Sequence, residues 1–267
     1  MNYYPLLEIQ GFGAEVQLAN FPSNGDYESP INPVVVYAAQ TTGSHWSIYD
    51  CGELLPWETR IYSRADLNGE ENPLESIFFF MSEQSLPNIL SALPMPSLFQ
   101  NTEPAWRGNL RVVGNGTVSS YSGDYPDSLA KLENATLLSL SPMIQKCPGI
   151  TTRVLIINLC LCPTIREVEA RLITLAERST LQTYRLRTNR VNVLSVDENL
   201  VHSASATAVT CEGMTGIPVF VSYNLDRTMI SMEHTHPPAE MMVFGSGSAR
   251  RAIVRGLKDH FLEKGGN

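Results

Sequence analysis

The sequence predicts an α+β fold: β-rich antiparallel or mixed sheets with one helix near 164–178 and a C-terminal helix near 248–264. Three observations lead there. Charged residues make up 17% of the 267, against roughly 25% in typical soluble domains, while 18 Gly and 17 Pro supply turns, a balance that favours short strands over long surface helices. Most apolar runs are brief and bounded by turn residues, as strands are. Two segments instead repeat their apolar residues every three or four positions, as an amphipathic helix does.

In chain order, Val34 to Ala39 and Ile77 to Met81 read as buried strands, being short, β-branched or aromatic, and flanked by turn formers. A short helix is expected next, with Ser85 as cap, Pro87 in the first turn, where a missing donor costs little, and Pro94-Met-Pro96 as the stop. Trp106 to Ser119 sets Leu110 and Val112 against Arg111 and turns at Gly114-Asn-Gly116, a hairpin signal. Thr136 to Leu140 is a further strand between turn-rich stretches. A boundary is placed near 142–151, giving a strand- and loop-rich half (1–148) and a half of sheet plus two helices (149–267), with one continuous domain as the alternative.

Val154 to Leu161 is apolar at every position but Asn158, which predicts a strand covered on both faces. Pro163-Thr164-Ile-Arg-Glu167 follows. Thr164 and Glu167 have the spacing of a capping box, and Ile165, Val168, Leu172 and Leu175 then form a helical stripe ending near Arg178. Leu181 to Arg187 and Val191 to Val196 read as strands joined by a turn at Thr188-Asn-Arg. Val219 to Tyr223 and Thr228 to Glu233 read as a pair joined at Asn224-Leu-Asp. Ile253, Leu257 and Phe261, broadened by Val254 and Leu262, mark the final helix.

A formal net charge of −8 argues against a nucleic-acid partner, whose phosphates need a basic stripe. Glu8, Gln10, Glu15 and Gln17 interrupt the opening segment, so no secretory leader is expected. The apolar run from Val154 to Cys162 is far shorter than the ~20 residues of a spanning helix, so no membrane association is expected. The five cysteines are odd in number and scattered, which fits reduced thiols in the cytoplasm.

One cluster has the residue types of a metal site. His234 and His236, two apart in an extended segment, point to one side, and Glu240 follows close behind. Zinc, iron and manganese are the divalent transition metals such donors suit; the other expectation is no cofactor. His234, His236, Glu240 and Gly247 resemble the first metal-binding motif of the cupin family, which implies a β-barrel and a further His ligand from a second motif. Thr228 stands where that family has Gly, and His260, on the expected final helix, is the sole downstream His. His-Thr-His-Pro also resembles the centre of JAMM-type metalloproteases, which implies a zinc-bound water, although Gly247 occupies the place of that family's Asp. The plainer reading has both imidazoles ending a strand that Pro237-Pro238 must stop.

Immediately downstream, Gly245, Gly247, Ser248, Arg250 and Arg251 form a candidate anion site, where free amides at a helix start and two guanidinium groups would receive negative charge. No Gly-x-Ser-x-Gly elbow is present, and no cysteine has a neighbouring His in sequence. The expected function is a soluble cytosolic binding or interaction protein with a protein partner or a homo-oligomeric state. The first alternative is a metal-assisted hydrolase, in which His234, His236 and Glu240 hold the ion and Arg250 or Arg251 steadies an anionic substrate. The second is a host-interaction or defence component that assembles through exposed strand edges.

Overall fold

The computed structural model describes residues 2–21, 31–67, 72–94, 108–131, 136–140, 148–174, 177, 179–197, 199–200 and 206–234. In the first half the strands are β1 (Asn2–Pro5), β2 (Gly13–Ala19), β3 (Val34–Thr41), β4 (Trp46–Leu54), β5 (Thr59–Tyr62), β6 (Phe78–Ser82), β7 (Ile89–Leu90), β8 (Asn109–Val113), β9 (Val118–Ser122), β10 (Tyr125–Pro126) and β11 (Thr136–Leu140). The second half adds β12 (Ile150–Asn158), β13 (Glu167–Thr174), β14 (Thr180–Arg187), β15 (Arg190–Ser195), β16 (Thr207–Glu212), β17 (Ile217–Asn224) and β18 (Ile230–His234). They form four sheets, in the orders β10-β1-β6-β3-β4-β7, β5-β2-β8-β9, β15-β12-β17-β18 and β11-β16-β13-β14.

Every strand pair among the described residues is antiparallel, and the helical segments among them are a turn at Arg64–Asp66 and four residues at Asp127–Ala130. The α+β expectation is therefore corrected to an antiparallel β fold.

The helix expected at 164–178 is strand β13. Val168 and Leu172, four apart, satisfy a helical stripe and also one face of a strand, since four is a multiple of two. The intervening residues decide it. Glu167, Glu169 and Arg171 lie outward and alternate with Val168, Ala170 and Leu172 facing in, and β14 and β16 hydrogen-bond the strand on either side. Nor does Thr164 cap a helix: its carbonyl accepts the Thr188 hydroxyl at 3.2 Å and Asn189 Nδ2 at 3.3 Å. The short helix expected after Ser85 is also absent; Ile89 and Leu90 bridge to Ser47 and Trp46 as an edge strand. The helix expected near 248–264 lies outside the described residues.

Residues 154–157 behave as their unbroken hydrophobicity predicts. Leu155 and Ile157 join a large core with residues of the first half, including Tyr3, Trp46 and Phe78 to Phe80, while Val154 and Ile156 join a second core with Ala170, Leu172, Val209 and Phe220. The β12 sheet is thus a middle layer. Burying each such side chain stabilises the fold by about 1.5–3 kcal/mol. In the first core, Ala38 and Ala39 of β3 lie opposite Phe79 and Phe78 of β6, so small residues make room for rings across the ladder.

The turn at 188–190 does not make a hairpin. β14 belongs to the outer sheet and β15 to the middle one, so the chain turns a corner between layers. Asn189 holds that corner at φ 57°, in the left-handed region Asn tolerates better than most residues. Its Oδ1 accepts the Cys160 N–H at 2.6 Å, its Nδ2 donates to Cys162 O at 2.9 Å, and its own N–H donates to Asn158 Oδ1 at 2.9 Å. Asn158 Nδ2 donates in turn to Thr215 O at 2.8 Å. That network accounts for the one polar residue in the apolar run.

Candidate functional site

His234 is the last residue of β18, opposite Val219 in the ladder, and its ring lies 4.4 Å from that of Tyr121 on β9. It therefore packs between two sheets. His236, Glu240, Gly245, Gly247, Ser248, Arg250 and Arg251 lie outside the described residues. Among the described residues no group of three or more His, Cys, Asp or Glu converges as metal ligands would.

A different site is built where the corner between β14 and β15 faces the start of the chain. A cavity of about 900 Å³ opens there, lined by parts of 6–14, 63–65, 73–76 and 184–194. Leu6, Ile9, Phe12, Leu186 and Leu194 form apolar wall, and Arg64, Arg185, Arg187 and Arg190 line it together with Glu8 and Glu75. Among the described residues the lining is thus positive by two charges, in a chain whose net charge is −8. A concave surface of one sign with apolar walls focuses its field and concentrates counter-ions.

Local structure holds three of the four cations in place. Asp66 accepts both the Ser63 N–H (2.7 Å) and the Ser63 hydroxyl (2.9 Å), closing the turn that carries Arg64. Arg64 forks onto Glu8, with Nε to Oε1 at 2.7 Å and Nη2 to Oε2 at 2.6 Å, and also donates to Glu75 O at 3.0 Å. Buried Glu75 takes Arg187 on Oε1 at 3.4 Å and Arg190 on Oε2 at 3.6 Å. Arg190 Nη2 donates to Leu74 O at 2.6 Å, and the Arg187 N–H donates to Asn192 Oδ1 at 2.8 Å. Arg185 is exposed on β14 and takes no ion pair among the described residues.

The hydroxyl groups of the lining are engaged. Ser76 Oγ accepts the Val191 N–H at 3.0 Å, and Tyr184 donates to Gln182 Oε1 at 2.9 Å. Burial pushes the Tyr184 phenol up to about 12, so it stays a neutral donor throughout the physiological range. Among the described residues the lining holds neither His nor Cys.

Sequence reasoning passed over this site because its parts come from separate stretches of chain. One signal was present: Tyr184-Arg-Leu-Arg-Thr-Asn-Arg190 concentrates basic residues in an acidic protein. The chain matches no protein-family model, no curated protein and no solved structure.

Proposed function

We propose that the protein is a cytosolic binding protein whose ligand-bearing surface is the arginine-lined cleft, and that what it takes there is anionic. The observation that carries this reading is the positive excess of the lining, counted over the described residues, in a chain of opposite net charge. Arg185 supports it further, as a cation with no partner among the described residues, and guanidinium groups bind carboxylates in fork geometry. The engaged hydroxyls favour holding a ligand over transforming it. Four described cysteines are free thiols, in keeping with a reducing compartment, and no helix among the described residues is long and apolar enough to cross a membrane.

The test is a citrate titration followed by amide chemical shifts. Shifts concentrated at Arg185 to Val193 and Arg64, lost in Arg185→Glu and at high salt, are expected. Shifts scattered over the surface, or none at all, would sink the proposal.

A further inference from the structure

Strand β15 is an edge strand of the middle sheet, and its free side borders the cleft. In an antiparallel pair, alternate residues turn their backbone groups toward the partner strand and the others turn away. Val191 donates its N–H to Ser76 Oγ, and Ser195 O accepts from Gln182 Nε2 at 3.2 Å and from the Tyr184 hydroxyl at 3.4 Å. None of these partners belongs to β12, so Val191, Val193 and Ser195 are the residues that turn away from it.

Two groups at the ends of that edge are therefore already satisfied by side chains: the N–H of Val191 and the C=O of Ser195. Four remain open among the described residues: the C=O of Val191, both groups of Val193, and the N–H of Ser195. An antiparallel newcomer could exchange both bonds with Val193 alone, because at Val191 and at Ser195 it would meet a group already taken. In a parallel ladder, alternate residues of the newcomer each donate to one edge carbonyl and accept from the N–H two residues further on. A parallel strand would use the Val191 C=O with the Val193 N–H, then the Val193 C=O with the Ser195 N–H. Those are the open groups.

Resting on the reading of the cleft as an anion-binding surface, we infer that its occupant is an extended acidic segment of a partner protein, added as a short parallel strand along Val191 to Ser195. Main-chain bonds to the edge supply affinity, and side-chain contacts supply selection, as in other strand-addition complexes. Parallel alignment sets the amino end of the segment beside Arg190, where β15 begins and where Arg187 closes the preceding strand. Acidic residues at that end meet guanidinium groups. Val193, whose side chain is 41% exposed, offers apolar contact further along. Charge complementarity chooses this occupant, since a basic or neutral strand would leave the positive excess unanswered.

The probe is a short fluorescein-labelled peptide with Glu and Asp at its amino end followed by alternating Val and Thr, titrated against the full chain by anisotropy. Three comparisons decide the matter: the same peptide N-methylated at the two residues whose N–H groups would donate to the Val191 and Val193 carbonyls, a peptide with the acidic residues moved to its carboxyl end, and the variant Val193→Pro. That proline removes an outward N–H only, so the β12 ladder is kept. N-methylation and Val193→Pro should each weaken binding about tenfold, the loss expected for backbone bonds left unmade. Moving the acidic residues should weaken it several-fold.

Equal binding of the methylated peptide to the unaltered protein would overturn strand addition whether or not the proline variant folds. Equal binding of the reversed-charge peptide would overturn the parallel direction. Light scattering that shows a dimer with Val193 protected from hydrogen exchange would make a second copy the occupant and overturn the inference. Absence of peptide binding while citrate still shifts the cleft amides would remove this inference and leave the anion-binding reading standing.

Discussion

Glu75 Oε2 and Arg190 Nη1 approach to 3.6 Å although 115 residues of sequence separate them, as read from the numbering, and Arg187 closes on the other carboxylate oxygen at 3.4 Å. This carboxylate ties the segment before β6 to the corner between β14 and β15, and it fixes where two of the cleft's cations point.

Replacing it should therefore affect stability and binding in opposite directions. Glu75→Gln preserves shape but leaves two guanidinium groups facing each other without a counter-charge. Both arginines are about a third exposed or less, so solvent moderates the cost, which we expect to be about 1–3 kcal/mol. Urea denaturation measures it. Citrate should bind more tightly to the folded variant, because the lining then has one negative charge fewer; weaker binding would show that Glu75 orients the cations more than it neutralises them.

Asn189 combines a left-handed backbone with side-chain bonds to the segment that follows β12. Asn189→Gly keeps the conformation and loses the bonds, costing about 1–3 kcal/mol for buried groups left unsatisfied. Asn189→Ala adds the steric cost of positive φ and should be about 1 kcal/mol worse. Thermal unfolding of the two variants gives the order, and equal melting temperatures would show that backbone strain has no part in it.

Burial, with the Glu212 carboxylate adding to it, pushes the Cys211 thiol up from 9.0 to about 11. The neutral form is thus the native one. Its contribution to stability is complete below pH 9, the unfolded value, and is lost as pH rises through 11. Over that window stability should fall by about 2 kcal/mol on account of this group. In Cys211→Ala the alkaline slope should be shallower, as denaturation midpoints taken from pH 8 to 11 would reveal.

The His234 ring packs against Tyr121 at 4.4 Å, tilted by 36°, so His234→Ala should destabilise the protein by about 1 kcal/mol, with or without added zinc. Differential scanning fluorimetry checks this. A rise in melting temperature with stoichiometric zinc that disappears in both His234→Ala and His236→Ala would assign these imidazoles a ligand role instead.

How much of this was legible in the sequence follows from the range over which each signal acts. The run from Val154 to Ile157 announced a strand buried on both faces, and the turns at Gly114-Asn-Gly116 and Asn224-Leu-Asp announced the β8–β9 and β17–β18 pairs, because period and turn chemistry are local. β13 was misread because Val168 and Leu172 satisfy two periods at once; pairing with β14 and β16, which lie later in the chain, selects between them. β7 and β10 have two residues each, too few to show any period.

The sequence by itself determined where most strands lie and that the chain is acidic overall, with a basic stretch at 185–190. Only the tertiary structure decided that β14 and β15 part into different sheets, that Glu75 and Arg64 come to meet that stretch, and that the backbone of Val193 is open beside them among the described residues. The physical reason is that periodicity and turn preference are properties of neighbouring residues. The field of a cleft and the freedom of a strand edge depend instead on which distant segments pack alongside.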